Sequence, residues 1–213
     1  MEKMKKFNTT EVSQESQAKE EETKRKLPRV EKRRQRIRKH ILEIATKRFA
    51  LEGPDRVRLE EVADEADISR ATLYSHFPSK DAIIYEIIKP VLEELIEEYE
   101  KLLKEIDSLK AEQVLNRLTD IFINLWEYHQ LSLLLAQKVL DMDPGELKPL
   151  YDRMLELKIK ILSKFEEEKK LKLPKEIAFQ VILNTLIPLL RFILPHPDGK
   201  KLFKASFKGL LIS

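Results

Sequence analysis

Residues 57–84 read VRLEEVADEADISRATLYSHFPSKDAII and decide how the chain folds. Their first part carries apolar residues at spacings of three and four, which is typical of a helix with one buried face. These residues are Leu59, Val62, Ala63 and Ala66. A three-residue break, Asp67-Ile68-Ser69, follows, and Ser69 is a suitable N-cap for a second short helix over 70–77. Two short helices joined by a tight turn predict a helix-turn-helix, whose second helix has the size to enter a DNA major groove.

The sequence on both sides of this stretch is helical as well. The apolar residues before it recur every four residues up to Gly53-Pro54: Ile37, Ile41, Ala45 and Phe49. After it, Pro78 ends the second short helix, and Ser79 is placed to cap a long amphipathic helix that extends to about Ile106. Further helices are predicted at about 110–130, 131–142, 145–171, 175–194 and 199–212. Because no stretch alternates with period two, the predicted fold class is all-α, with about nine helices and an N-terminal three-helix DNA-binding domain.

The quoted stretch resembles the signature region of TetR-family regulators. Three groups of residues carry the likeness: Leu73-Tyr74, His76-Phe77 and Ser79-Lys80-Asp81. Two positions depart from the family pattern. Arg58 stands where the family usually has a capping Thr, so that either Asp55 caps the helix instead or the cap is lost. Asp67 stands where the turn usually has Gly, and since Asp tolerates a positive φ we expect the turn to be kept.

The resemblance implies a fold and a function for the whole chain. Residues 1–28 are polar and charged and predict a flexible arm, followed by a helix-turn-helix DNA-binding domain at 29–78 and a helical effector-binding and dimerisation domain at 79–213. The implied function is a ligand-responsive transcriptional regulator, expected to be a repressor. It would bind a palindromic operator in double-stranded DNA as a homodimer and leave it when a small, lipophilic effector binds. No cofactor and no metal are implied.

The resemblance also assigns the DNA contacts to the second short helix and its flanks. Arg70, Ala71 and Thr72 are expected to meet base edges, because Arg can pair with guanine while Ala and the Thr methyl can contact a thymine methyl. Phosphate contacts are expected from Ser69, Tyr74, Ser75, His76 and Lys80. The alternative for each residue is an ordinary solvated or core side chain.

A basic run precedes these helices. Between residues 24 and 39 ten Lys and Arg residues are interrupted by one acid, Glu31, and such a run favours a polyanionic partner. We expect Arg25, Lys26 and Arg29 to contact DNA as an arm, although a merely solvated arm is an equally open interpretation. The run also supports the alternative function, a helical adaptor that binds an acidic protein or membrane surface.

Residues 181–194, VILNTLIPLLRFIL, are apolar almost all round. With 14 residues and Asn184, Pro188 and Arg191 among them, the run is too short and too polar to span a bilayer, which needs about 20 apolar residues. We therefore expect it to be buried in protein, with no membrane contact. The resemblance places a homodimer contact on the last two helices, and the candidate contact residues are Phe192, Leu202, Phe203, Phe207 and Leu210. Core burial within one chain is the alternative.

Aromatic residues of the predicted regulatory helices are candidate walls of an effector pocket. They are Phe122, Trp126, Tyr151 and Phe179, with His129 as a polar anchor. A lining with few ionic groups favours a lipophilic effector, and the alternative for each of these residues is plain core packing.

Composition excludes several classes of function. The chain has no Cys, so disulfides, thiol nucleophiles and Cys-ligated zinc are absent, and a cytoplasmic location is expected. Its four Gly residues form no phosphate-binding loop, and its four His residues form no H-E-x-x-H motif, so no enzyme is predicted. Charged residues make up 36% of the chain, against roughly a quarter in ordinary proteins, which resembles the surface of a thermophile's protein.

Overall fold

The computed structural model describes residues 29–140 and 143–212, and it confirms the all-α fold class. Within these residues there are eight α-helices: α1 Arg29–Glu52, α2 Leu59–Glu65, α3 Arg70–His76, α4 Lys80–Glu105, α5 Ala111–Leu140, α6 Lys148–Glu167, α7 Lys175–Ile193 and α8 Gly199–Leu211. Short 3₁₀ turns at Ile106–Ser108 and Gly145–Leu147 precede α5 and α6. The described ranges contain no strand beyond one isolated bridge between Leu171 and Ile212.

Contacts among residues divide the chain inside α1, after Ile41. The described part of the first unit is the amino-terminal half of α1, and its Lys32, Arg33 and Arg34 side chains are exposed. The second unit begins at Leu42 and holds the helix-turn-helix and every later helix. The domain boundary predicted after residue 78 stays a prediction, since α4 starts two residues later and runs on unbroken into the helical domain.

Helix α4 is the central element of this second unit. Its buried residues lie at helical spacing, as the stripe predicted: Ile83, Ile84, Ile87, Ile88, Val91, Leu92, Leu95, Tyr99 and Leu102. The helix packs most extensively against α6 and α5. Helices α7 and α8 complete one continuous apolar core with them, which contains Ala178, Leu190, Phe203 and Phe207.

The structure corrects two predicted helix boundaries. The two helices predicted at 110–130 and 131–142 are one element, α5, interrupted only at His129, where the backbone is non-helical (φ −129°, ψ 27°). The helix predicted at 145–171 ends at Glu167. There Lys169 adopts a positive φ of 54°, and the Lys170 amide donates to the Phe165 carbonyl at 2.8 Å. This is a Schellman ending without glycine, so no sequence signal marked it.

Candidate nucleic-acid interface and effector cavity

At the start of α2, where the family pattern has a capping Thr, the Glu61 side chain accepts a hydrogen bond from the Arg58 backbone amide. No side chain caps the first turn, so Asp55 does not take that role. Instead the Glu61 carboxylate accepts from the Arg58 backbone amide at 3.4 Å and from the Arg58 Nε at 3.3 Å. It also accepts from Arg48 Nη2 of α1 at 3.1 Å. The Arg58 backbone hydrogen bond, with the two guanidinium groups, lowers the pKa of Glu61 and ties α2 to α1.

The turn between α2 and α3 keeps the geometry that glycine usually provides. Asp67 has a φ of 52°, as its place in the motif predicted. The Ile68 amide donates to the Ala63 carbonyl at 3.1 Å, and the Asp67 amide donates to the Asp64 carbonyl at 3.1 Å. These two bonds form a Schellman motif, so the carbonyls at the end of α2 are satisfied and the direction of α3 is set.

Ser69 begins α3 as the N-cap that the sequence predicted. Its Oγ accepts from the Thr72 amide at 3.1 Å and lies 2.8 Å from Thr72 Oγ1. Leu73 is fully buried and anchors the helix. The Ser69 hydroxyl thus has a structural function, and its contact with phosphate stays a prediction.

One face of α3 is open to solvent. Arg70, Ala71 and Ser75 are exposed, and the Tyr74 side chain is 47% exposed although it is aromatic. Residues spaced by four lie on one face of a helix, so Arg70 and Tyr74 stand side by side, as do Ala71 and Ser75. Thr72 and His76 are half-buried at the edge of this face. The residues predicted to touch bases and phosphates therefore share one surface, and their contacts with DNA stay predictions.

Lys80, in the first turn of α4, has a bond within the protein. Its Nζ donates to the Pro54 carbonyl at 2.7 Å, which fastens the loop after α1 to the start of α4. Its predicted phosphate contact would use the remaining two N–H donors of the ammonium group. Of the predicted arm residues, Arg29 is exposed at the first position of α1, while Arg25 and Lys26 lie outside the described residues.

A small cavity of about 100 Å³ lies between α4, α5, α6 and α7. Aliphatic side chains line most of it: Leu92, Leu95, Leu133, Leu140, Ile182 and Leu186. Four residues with polar groups also line it: Tyr99, Gln137, Tyr151 and Lys158. A concave, mostly apolar space with a few polar groups is the usual form of a small-molecule site.

The structure brings only some of the predicted effector residues to this cavity. Tyr151 lines it, and the Phe179 ring lies 5.9 Å from the Lys158 Nζ. Phe122 and Trp126 are buried in the core and are not among its lining residues. Phe122 makes edge contacts with Tyr99 and Phe207 at ring distances of 6.4 Å and 5.7 Å. His129 faces α4 instead, where its Nε2 lies 2.9 Å from Glu94 Oε2.

Sequence reasoning missed the two polar residues that distinguish this cavity. Lys158 is only 7% exposed, and burial lowers its pKa to about 8. Tyr99 is completely buried, its hydroxyl has no hydrogen-bond partner among the described residues, and burial raises its pKa. A signal for Lys158 was present, because it lies on the apolar stripe of α6 with Met154, Leu157, Ile161 and Leu162.

Helix α7 is far less buried by its own chain than its composition predicted. By length and composition the 19-residue helix could cross a membrane, which corrects the expectation that the run 181–194 is too short and too polar to do so. Only 17% of its apolar window is buried. Phe192 is 87% exposed, and Leu202 and Leu210 of α8 are exposed as well. Phe203 and Phe207, which we expected at a dimer contact, are instead core residues, because they stack on each other and Phe207 packs against Phe122.

One hydrogen bond joins the helix-turn-helix region to the cavity region besides the continuity of α4. Lys138 Nζ, near the end of α5, donates to the Ala50 carbonyl in the last turn of α1 at 2.7 Å. Gln137 and Leu140, which flank Lys138 on α5, line the cavity. The same segment therefore lines the cavity and is hydrogen-bonded to the last turn of α1.

The helix-turn-helix region of the chain is similar in sequence to known proteins. Residues 41–87 match the family model described as bacterial regulatory proteins, tetR family. The HTH-type transcriptional repressor KstR2 of Mycolicibacterium smegmatis is 30% identical over 90 residues, which are 42% of this chain and 42% of that protein. The chain thus matches less than half the length of this curated relative. These relatives are named as regulators, and neither the enzyme nor the adaptor interpretation finds support among them.

Solved structures share the fold over a longer stretch. The ketosteroid transcriptional regulator KstR2 of Mycobacterium tuberculosis superposes with a TM-score of 0.66 at 21% identity, covering 83% of this chain and 95% of that one. The TetR family transcriptional regulator PfmR of Thermus thermophilus superposes with a TM-score of 0.62 at 25% identity, covering 80% and 96%. Residues 41–87 are thus similar to the DNA-binding region of tetR-family regulatory proteins, and the helices around them share the fold of solved regulators of that kind.

Proposed function

We propose that the chain is a ligand-responsive transcriptional repressor that binds a palindromic operator as a homodimer in the cytoplasm. The observation that carries the proposal is the open face of α3, where Arg70, Ala71 and Tyr74 are exposed on a helix that a cap and a Schellman turn hold in place. Arg70 and Ala71 would contact base edges, and Tyr74 a phosphate. The named relative is a repressor, which supports repression over activation.

The exposed apolar surface of α7 and α8 supports the homodimer. A single soluble chain rarely leaves an aromatic side chain as open as Phe192 beside other exposed apolar residues. A second copy using the same surface would cover Phe192, Leu202 and Leu210 on both chains at once. Two-fold symmetry would then present two copies of α3 to one duplex, which is why we expect a palindromic operator.

The cavity supports control by a small molecule. At about 100 Å³ it is smaller than the roughly 300–1,000 Å³ typical of drug-sized sites, so a ligand must push the lining side chains apart to enter. Displacement of Leu140 would move the end of α5, and with it the Lys138 bond to Ala50. Such a ligand releases DNA only to the extent that it binds the shifted state more tightly than the DNA-binding state.

Selection of bound duplexes from a random DNA pool tests the proposal. Purified wild-type protein is incubated with the pool at several salt concentrations, and the retained duplexes are sequenced. We expect a palindromic consensus whose affinity falls as salt rises. A matched variant, Arg70→Ala, should relax the consensus at one position per half-site. Retention that depends only on salt, with no consensus, would contradict specific operator binding.

A further inference from the structure

We propose that the effector is a lipophilic carboxylate. Its anionic group pairs with Lys158 and accepts a hydrogen bond from Tyr99, and its hydrocarbon part lies among the aliphatic side chains of the cavity. This inference rests on the proposed function only in calling the molecule an effector. The binding site itself is argued from the residues that line it.

Lys158 is the first reason to expect an anion. Among the described residues no carboxylate forms an ion pair with it, and the Phe179 ring lies 5.9 Å from its Nζ. Removing an ammonium group from water without a counter-ion is strongly unfavourable. A ligand that brings a negative charge to Nζ removes this penalty and gains a charge-assisted hydrogen bond.

Tyr99 is the second, independent reason. Tyr99 lines the same cavity from α4, and its hydroxyl is a buried donor without a hydrogen-bond partner among the described residues. Buried hydroxyl groups are normally hydrogen-bonded, so an unpaired one in a cavity wall indicates a missing acceptor. A carboxylate has two oxygens that accept only, and it can therefore serve the ammonium group and the phenol together.

The remainder of the cavity decides what the anion is attached to. Apart from Gln137 and Tyr151, its other walls are hydrocarbon, so a second charged or strongly polar group on the ligand would be buried without a partner. A larger groove of about 660 Å³ shares Gln137 and Ile187 with the cavity and has mostly apolar walls, including Leu134 and Phe192. A hydrocarbon longer than the cavity can therefore continue past Ile187 into this groove, whose Phe192 end a second copy of the chain would cover.

Direct binding of matched probes tests the inference. Sodium alkanoates from hexanoate to dodecanoate are compared with the 1-alkanols of equal chain length by titration calorimetry at pH 7. We expect the wild-type protein to bind at least one alkanoate about tenfold more tightly than its alkanol. Lys158→Met should abolish this preference while alkanol binding persists, which shows that the cavity is still folded. Tyr99→Phe should weaken alkanoate binding severalfold.

Lys160→Met is the matched control, because Lys160 lies two residues further along α6, is exposed, and pairs with Glu156 at 2.6 Å. It should keep the wild-type preference. Equal binding of alkanoates and alkanols, no alkanoate binding at any length, or a preference that survives Lys158→Met would each overturn the inference. A palindromic consensus in the DNA selection together with one of these results would leave the proposed function standing. Alkanoate binding through Lys158 without any DNA consensus would support the binding site and contradict the proposed function.

Discussion

Lys158 holds a charge inside an apolar core, and this has a consequence for stability as well as for binding. Its pKa of about 8 in the folded chain compares with an ordinary value of 10.5. At neutral pH the group is protonated in both the folded and unfolded states, and the folded state carries the desolvation penalty. The difference between these pKa values corresponds to about 3 kcal/mol.

We therefore expect Lys158→Met to stabilise the ligand-free protein below about pH 8, by up to about 3 kcal/mol. Between about pH 8 and 10.5 the unfolded state alone keeps the proton, so wild-type stability rises with pH and the gap narrows. Urea unfolding of both proteins at one concentration, from pH 6 to pH 9.5, measures this. A wild-type protein more stable than Lys158→Met at pH 7 would show that Lys158 has a partner in solution.

Asp67 holds a backbone conformation that favours glycine. Asp67→Gly should stabilise the chain by up to about 1 kcal/mol, because glycine adopts a φ of 52° without steric strain. The control is Asp64→Gly, at a helical position in the last turn of α2, which should destabilise by about 0.5–1 kcal/mol. Thermal unfolding compares the two substitutions. A loss of stability from both would mean that the Asp67 side chain stabilises the turn by more than its strain costs.

Arg70 and Tyr74 have separable tasks in DNA binding. Tyr74→Phe removes only the hydroxyl that we assign to a phosphate, so it should weaken binding to all duplexes by a similar factor of a few. Arg70→Ala should lower affinity for the selected consensus by about 1–3 kcal/mol while leaving nonspecific binding nearly unchanged. Titration of each variant with consensus and shuffled duplexes distinguishes them. Identical losses on both duplexes for Arg70→Ala would remove it from base contact.

The elements of the fold were predictable where the sequence marks their ends. Ser69 and Ser79 cap α3 and α4 as predicted, and Pro78 separates them. The end of α6 could not be predicted, because Lys169 takes a left-handed conformation that glycine usually marks. The two predicted helices that form α5 continue into each other because only His129 leaves helical geometry.

The candidate sites divide in the same way. The exposed face of α3 follows from a local pattern, so the residues on it could be named from sequence alone. The cavity depends on four helices that are distant in sequence, and its polar groups, Lys158 and Tyr99, are defined by packing. The aromatic residues Phe122 and Trp126 were expected there because they are large and apolar, and those same properties place them in the core.

The end of α5 is the element that we expect to carry the ligand signal. Lys138→Met removes the bond to the Ala50 carbonyl without altering the cavity lining. Operator affinity without ligand should change little. The ratio of operator affinity without alkanoate to operator affinity with a saturating alkanoate should fall severalfold toward one. Lys148→Met, which removes a surface pair with Asp152, is the control and should keep the wild-type ratio. An unchanged ratio in Lys138→Met would assign the coupling to α4 alone.

At the scale of the whole molecule, two chains are expected to bind each operator. Phe192→Asp places a charge on the exposed apolar surface of α7 and should yield a monomer, because a buried unpaired carboxylate opposes association. Light scattering after gel filtration measures the mass. Ile159→Asp, an equivalent change at an exposed residue of α6, should leave the dimer intact. A Phe192→Asp dimer of unchanged affinity would place the contact on another surface.

Titration of the wild-type protein with two duplexes at one salt concentration determines whether paired α3 helices bind one palindrome. One duplex carries the selected consensus, and the other carries it with one half-site scrambled. We expect two chains per consensus duplex. Binding to the scrambled duplex should be at least about tenfold weaker, because mismatched base pairs typically cost about 1–3 kcal/mol each. Equal affinity for both duplexes, or one chain per consensus duplex, would contradict this expectation.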